Sequence, residues 1–248
     1  MSDFNRGYPR TATAPIADMS VDAGLRAFML GVYNKVALGL VLSAGMAYLT
    51  GTYPPMRDLM FVLRPNGTIG FTLLGLIVAF APLAIILFSN FARTMTPQGS
   101  GIRYWSIVAL IGASLGTVVL AYTGAHIAST FLITATAFGA LSLFGYTTKR
   151  DLTGFGSFLI MGVIGLLIAM VVNMFLHSAM MDFIVSCAGV LIFAGLTAFQ
   201  TQRLKLTYYR LGGDQAALSV ATNYGALSLY LDFINLFQFI LTMGGGRR

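Results

Sequence analysis

The run FTLLGLIVAFAPLAIILF, residues 71–88, holds 18 consecutive residues without a charge. A helix rises 1.5 Å per residue, so about 20 apolar residues cross the roughly 30 Å hydrocarbon core of a bilayer. Runs of this kind recur along the chain and leave it few ways to fold. Six are clear, near residues 27–51, 68–91, 104–123, 126–147, 155–177 and 179–201, and a weaker seventh lies near 218–243. Pro82 is expected to kink the second.

A water-soluble core cannot absorb these runs. The chain is 57% hydrophobic and 9% charged, against roughly 25% charged residues in a soluble domain. Too few charges remain to coat a soluble surface, so lipid is expected to solvate most of the outside. Barrel strands would alternate apolar and polar residues, whereas these runs are continuous. The sequence therefore predicts an all-α membrane protein of seven transmembrane helices, or six plus a re-entrant segment. Residues 1–26 form a polar, Pro-containing cytoplasmic tail without an apolar signal region, residues 27–243 the helical domain, and 244–248 a short basic C-terminus.

The charges orient the bundle. All eight acids are Asp, against 15 Lys and Arg. With the N-terminus inside, Arg6, Arg10, Arg26, Arg93, Arg103, Lys149, Arg150, Arg203, Lys205 and Arg210 are cytoplasmic, and Arg57, Arg64, Arg247 and Arg248 lie outside. That bias follows the positive-inside rule. A re-entrant seventh segment would return Arg247 and Arg248 to the inside. The basic residues are dispersed and form no stripe for nucleic acid. Small residues at packing distance, such as Gly112 and Gly116, are expected to let helices approach closely.

Against this background the few polar residues inside the spans stand out. Asp232 sits in ALSLYLDFINLFQFIL, residues 226–241. A mid-membrane Asp costs about 2.5–3.5 kcal/mol on insertion scales, so it is expected to face the bundle interior. Ser228, Asp232 and Asn235 share one helical face at i−4, i and i+3, with Phe239 further along. Asp232 is either a protonation-dependent gate or ion ligand, or a hydrogen-bonded residue that only orients helices. Lys35, in the first span, either snorkels to the cytoplasmic interface or pairs with Asp232. His126 and His177 fall near span ends, Asp182 opens the sixth span, and Asn173 and Asn223 are candidate interhelical donors. The single Cys187 permits no intrachain disulfide. No Walker loop, zinc-protease pattern, nucleophile elbow or Rossmann fingerprint appears, so nothing argues for a hydrolase or nucleotide enzyme.

Three segments carry a family resemblance. VYNKVALGLVLSAGMAYL (32–49), TAFQTQRLK (197–205) and LSLYLDFINLFQFIL (227–241) resemble the Bax-inhibitor-1, or transmembrane Bax-inhibitor-motif, family. The likeness extends over everything after the tail, with LDFINLF its most specific part. It implies six helices around a central seventh and a pH-regulated calcium leak, with calcium as permeant or bound ion and no other cofactor. It also implies a di-aspartyl pH sensor in which an acid near the end of the sixth helix shares a proton with one in the seventh. The latter maps onto Asp232. The former begins a D-T-Q triplet that here reads Gln200, Thr201, Gln202. Two neighbouring carboxylates cannot both ionise cheaply, and Gln200 removes that repulsion, so altered pH gating and weaker calcium handling are expected. Bacterial relatives are associated with modulating a membrane-embedded AAA protease, which makes a regulatory protein the alternative to a channel. A proton-coupled transporter ranks last, because no inverted repeat or paired broken helices are visible. The location implied is a bacterial inner membrane, with lipids as the surrounding partners.

Overall fold

The computed structural model describes residues 23–63, 69–89 and 96–245. The expectations for the tail up to residue 22, for Arg64 and Arg93, and for Arg247 and Arg248 lie outside these residues. Within them the chain forms α1 (Ala23–Thr52), α2 (Pro54–Met60), β1 (Phe61–Leu63), β2 (Ile69–Phe71), α3 (Leu73–Ser89), α4 (Pro97–Ser114), α5 (Gly116–Ala121), α6 (Gly124–Thr147), α7 (Thr153–Leu176), α8 (Ala179–Leu211) and α9 (Gln215–Met243). Six stretches are long and apolar enough to cross a membrane: α1, α4 with α5, α6, α7, α8 and α9.

Local chemistry sets the helix ends. Thr96 caps α4 by accepting from Gly99 N, with Pro97 pre-set in the first turn. The third span therefore starts at Pro97, seven residues before the expected Tyr104, and it breaks at Leu115, where α5 takes over. Ser178 opens α8 by accepting from Met181 N, and Asp182 lies in that first turn, as expected for an acid at a positive helix end. Gly212, at φ 57°, ends α8 in the left-handed region that glycine enters without penalty. Asp214 then caps α9 through Ala216 N and Ala217 N.

The second span departs most from expectation. Its first residues form an antiparallel hairpin, with Phe61 opposite Phe71 and Val62 opposite Gly70, leaving α3 only 17 residues. Phe61 is buried against Gly116, where an added Cβ would lie 2.8 Å from the ring.

Helix α9 is the most enclosed of the six long apolar stretches, with 56% of its 18-residue apolar segment buried against 17–39% for the other five. It packs against α1, α4, α6 and α8. Leu229 and Tyr230 are fully buried within it, and Phe233 meets Phe131 and Phe138 of α6 at 5.4 Å. It runs unbroken for 29 residues, about 43 Å at helical rise, and does not turn back. Close backbone approach holds the bundle. A Cβ on Gly112 would lie 2.6 Å from Ser43 Cα, so this glycine serves intramolecular packing between α1 and α4.

Candidate functional site around Asp232

The polar stripe on α9 is real, and its members differ. Asp232 is buried, with Oδ2 lacking any hydrogen-bond partner among the described residues. Asn235 is half-buried and donates Nδ2 to Leu231 O on its own helix at 2.8 Å. Ser228 is half-buried, and Phe239 packs on Phe193 of α8 at 5.8 Å. Most buried polar groups find a partner, so an orphaned carboxyl oxygen in the bundle needs an explanation. It is open to a proton, a water or a cation.

Helix α8 supplies the wall opposite. Leu204 abuts Gly225 at one end and Phe239 abuts Gly189 at the other. This antiparallel register sets Asp232 level with Leu196 and Thr197, and Gln200 level with Ser228 and Leu229. Gln200 therefore lies about one turn, roughly 5.4 Å, from the Asp232 level. It is half-buried and makes no hydrogen bond to Asp232 Oδ2. Gln200 also lies in mid-helix, eleven residues before Leu211, because α8 continues past the expected end at 201. Thr201 is fully buried and lies 3.4 Å from Tyr33 OH of α1.

Gln202 has a different task, which sequence reasoning missed. Its Nε2 donates to Arg150 O at 2.7 Å and its Oε1 accepts from Leu152 N at 2.9 Å. One carboxamide thus pins the α6–α7 turn to α8. Two residues on a helix are about 200° apart, so Gln200 and Gln202 face different neighbours.

Lys35 does not pair with Asp232. Its Nζ donates to Asn223 Oδ1 of α9, while Asn223 Nδ2 donates to Ser100 Oγ at 2.8 Å and Pro97 O at 3.3 Å. Tyr104 OH donates to Lys35 O at 2.6 Å. These bonds tie α1, α4 and α9 together. Asn223 precedes Asp232 by nine residues, about 13 Å along the axis, which rules out direct contact. Among the described residues the ion pair formed is Arg57–Asp58, at 2.9 Å. Between the two levels, Ser43 Oγ donates to Val108 O at 3.0 Å and lies 2.6 Å from Tyr230 OH.

The remaining polar residues serve the bundle's other end. His126 stacks on Tyr122 at 5.7 Å and its Nε2 lies 3.4 Å from Leu241 O. His177 ends α7 in the left-handed region at φ 51°. Asn173 donates to Asp182 and accepts from Ser178 N at 3.0 Å, so it clamps the α7–α8 turn. No group of three His, Cys, Asp or Glu among the described residues could hold a metal. A Ca²⁺ ion takes six to eight oxygens, and Asp232 provides one carboxylate, in no metal-holding group among the described residues.

Residues 25–248 match the family model described as "Inhibitor of apoptosis-promoting Bax1". The chain belongs to the Bax inhibitor-1 family. An uncharacterized protein of Caulobacter vibrioides is 62% identical over the full length of both chains. The inner membrane protein YbhL of Escherichia coli K12 is 40% identical over 91% of this chain and 94% of its own. An uncharacterized membrane protein of Streptococcus pyogenes serotype M3 is 35% identical over 90% of this chain and 94% of its own. This Bax inhibitor-1 protein is thus a helical integral membrane protein, consistent with its six long apolar stretches.

Proposed function

We propose that this protein is a calcium or cation leak channel of the bacterial inner membrane, with Asp232 as the group that senses protons or meets the passing ion. The observation that carries the reading is the buried Oδ2 of Asp232, without a hydrogen-bond partner among the described residues, on the most enclosed of the long apolar helices. A carboxylate held only for structure would be expected to accept a hydrogen bond across a helix interface. Gln200, a turn away on α8, stands where the family resemblance implies an acid. Its neutrality leaves Asp232 without a coupled carboxylate and blunts the pH response.

In this reading α3 joins the six long stretches as a seventh span, around α9 at the centre, and the chain is a channel rather than an enzyme. The N-terminus is cytoplasmic. Arg26, Arg103, Lys149, Arg150, Arg203, Lys205 and Arg210 gather toward one end of the bundle, against Arg57 toward the other among the described residues, which supports this orientation. The test is calcium flux into proteoliposomes at about pH 6, 7 and 8 for the native chain and Gln200→Asp, because a second carboxylate restores the repulsion that couples two titrations. A steeper pH response in Gln200→Asp supports the reading. An unchanged response, with the variant folded, removes Gln200 from it.

A further inference from the structure

Helix α7 ends on a group of soft donors. Met170 and Met174 stand one turn apart and His177 follows three residues later, a spacing of i, i+4 and i+7 that puts all three on one face. His177 N still bonds to Asn173 O at 2.8 Å, which carries the helical turn through the histidine. With Asn173, and with Asp182 and Val185 of α8, these residues line an open cleft of about 400 Å³ between the two helices. Met170 and Met174 are 47% and 63% exposed, so an ion entering the cleft can reach their thioethers.

Lipid packing alone does not account for this cleft. A hydrocarbon chain lying in it would leave Asn173, His177 and Asp182 facing apolar atoms. His177 also stands at φ 51°, at a helix end where glycine is favoured, so an exposed imidazole takes the place of the residue that the backbone prefers. Its Nδ1 lies 3.1 Å from Phe175 O. A carbonyl only accepts, so Nδ1 carries the proton and the lone pair of the neutral ring sits on Nε2. A carbonyl held by one ring nitrogen is the usual companion of a metal on the other. Asn173 Nδ2 donates to Asp182 Oδ1, which keeps a negative charge beside the same cleft.

The donor types select the metal. Calcium and magnesium take oxygen ligands, and zinc takes thiolate, imidazole or carboxylate. Thioethers favour copper(I), which imidazole also suits. Side chains at i and i+4 start about 5–6 Å apart on a helix surface, and the rotatable bonds of methionine let both sulfurs turn to one ion. We propose that the α7–α8 cleft binds a copper(I) ion, with Met170 Sδ, Met174 Sδ and His177 Nε2 as ligands and Asp182 adding charge nearby. Asp182 precedes Leu196 by fourteen residues of α8, about 21 Å from the Asp232 level. The site therefore makes no use of Asp232 and does not depend on the channel reading.

The test is a copper(I) titration of the detergent-purified full chain, without oxygen and with ascorbate, in competition with a chromogenic copper(I) chelator. Zinc(II) is titrated in parallel. The native chain is expected to hold about one copper(I) that raises its melting temperature. Met174→Leu conserves volume and should weaken copper(I) binding at least about tenfold. His177→Asn removes the imidazole but keeps a residue that tolerates the left-handed region, and should weaken it similarly. Met161→Leu, on the same helix but outside the cleft, should leave binding unchanged. No copper(I) held by the native chain would overturn the site. Equal losses in Met161→Leu and Met174→Leu would mean scattered binding to methionines and overturn it too. Zinc(II) bound as tightly as copper(I), with Met174→Leu without effect, would overturn the thioether ligands.

Discussion

The contact between Lys35 and Asn223 allows a quantitative test of how charge is held inside this bundle. Lys35→Met keeps most of the apolar stem and removes the donor, leaving Asn223 Oδ1 without its partner. Hydrogen bonds to charged groups contribute about 1.5–3 kcal/mol in soluble proteins. Interhelical bonds in membranes average about 0.6 kcal/mol and reach about 1.7, because separated helices find other partners in lipid. A charged donor on a buried amide belongs near the upper membrane value, so Lys35→Met should destabilise by about 1–2 kcal/mol. Asn223→Leu removes the same bond together with those to Ser100 and Pro97, and should cost more. Because the bond is shared, the double variant should fall short of the summed effects by about 1 kcal/mol. Lys35→Met combined with Asp232→Asn should instead be additive within about 0.5 kcal/mol, since about 13 Å separates the two levels. Equilibrium unfolding in mixed micelles reports this through Trp105, the single tryptophan, which stacks edge-on against Tyr104 at 5.0 Å. Additivity in the Asn223 cycle with coupling in the Asp232 cycle would refute the arrangement.

Other substitutions probe the frame around Asp232. Gly145→Ala drives a Cβ into the backbone of Ala198, 2.9 Å from its Cα, and should destabilise by about 1–3 kcal/mol, whereas Gly139→Ala on the same helix enters open space and should be neutral to about 1 kcal/mol stabilising; thermal unfolding of both checks this. Tyr230→Phe should cost about 0.5–1.5 kcal/mol, because Ser43 keeps its bond to Val108 O and only the phenol contact is lost. Gln202→Leu removes both bonds to the α6–α7 turn and should speed hydrogen exchange at Leu152 N, with little effect on exchange in α9.

The spans were legible because hydropathy reads length and solvent directly, and six of the seven expected stretches recur as long apolar helices. Hydropathy was blind to what interrupts them. Phe61 and Phe71 are apolar, so the strands they open and close merge with the helices on either side. Hydropathy hides the start of α4 because Gln98, Gly99, Ser100 and Arg103 lower the local average, although Thr96-Pro97 is a helix-start signature. Hydropathy hides the end of α8 for a similar reason: RLKLTYYRL is too polar for lipid, yet helical up to Gly212. On the site, helical spacing was enough to put Ser228, Asp232 and Asn235 on one face. It could not say which element lies across from each, since that is decided by packing. Lys35 therefore met Asn223 rather than Asp232, and Gln202 rather than Gln200 turned out to clamp a loop.

The central claim is that the carboxyl of Asp232, whose Oδ2 has no hydrogen-bond partner among the described residues, acts on ion movement. Its most direct test is calcium flux into proteoliposomes for the native chain and the near-isosteric Asp232→Asn, with matched insertion and matched melting temperature. The account predicts flux through the native chain that Asp232→Asn changes severalfold, with loss of whatever pH dependence the native chain has. Equal flux through both proteins would make Asp232 a structural residue. No flux through either would contradict the channel and favour the regulatory role.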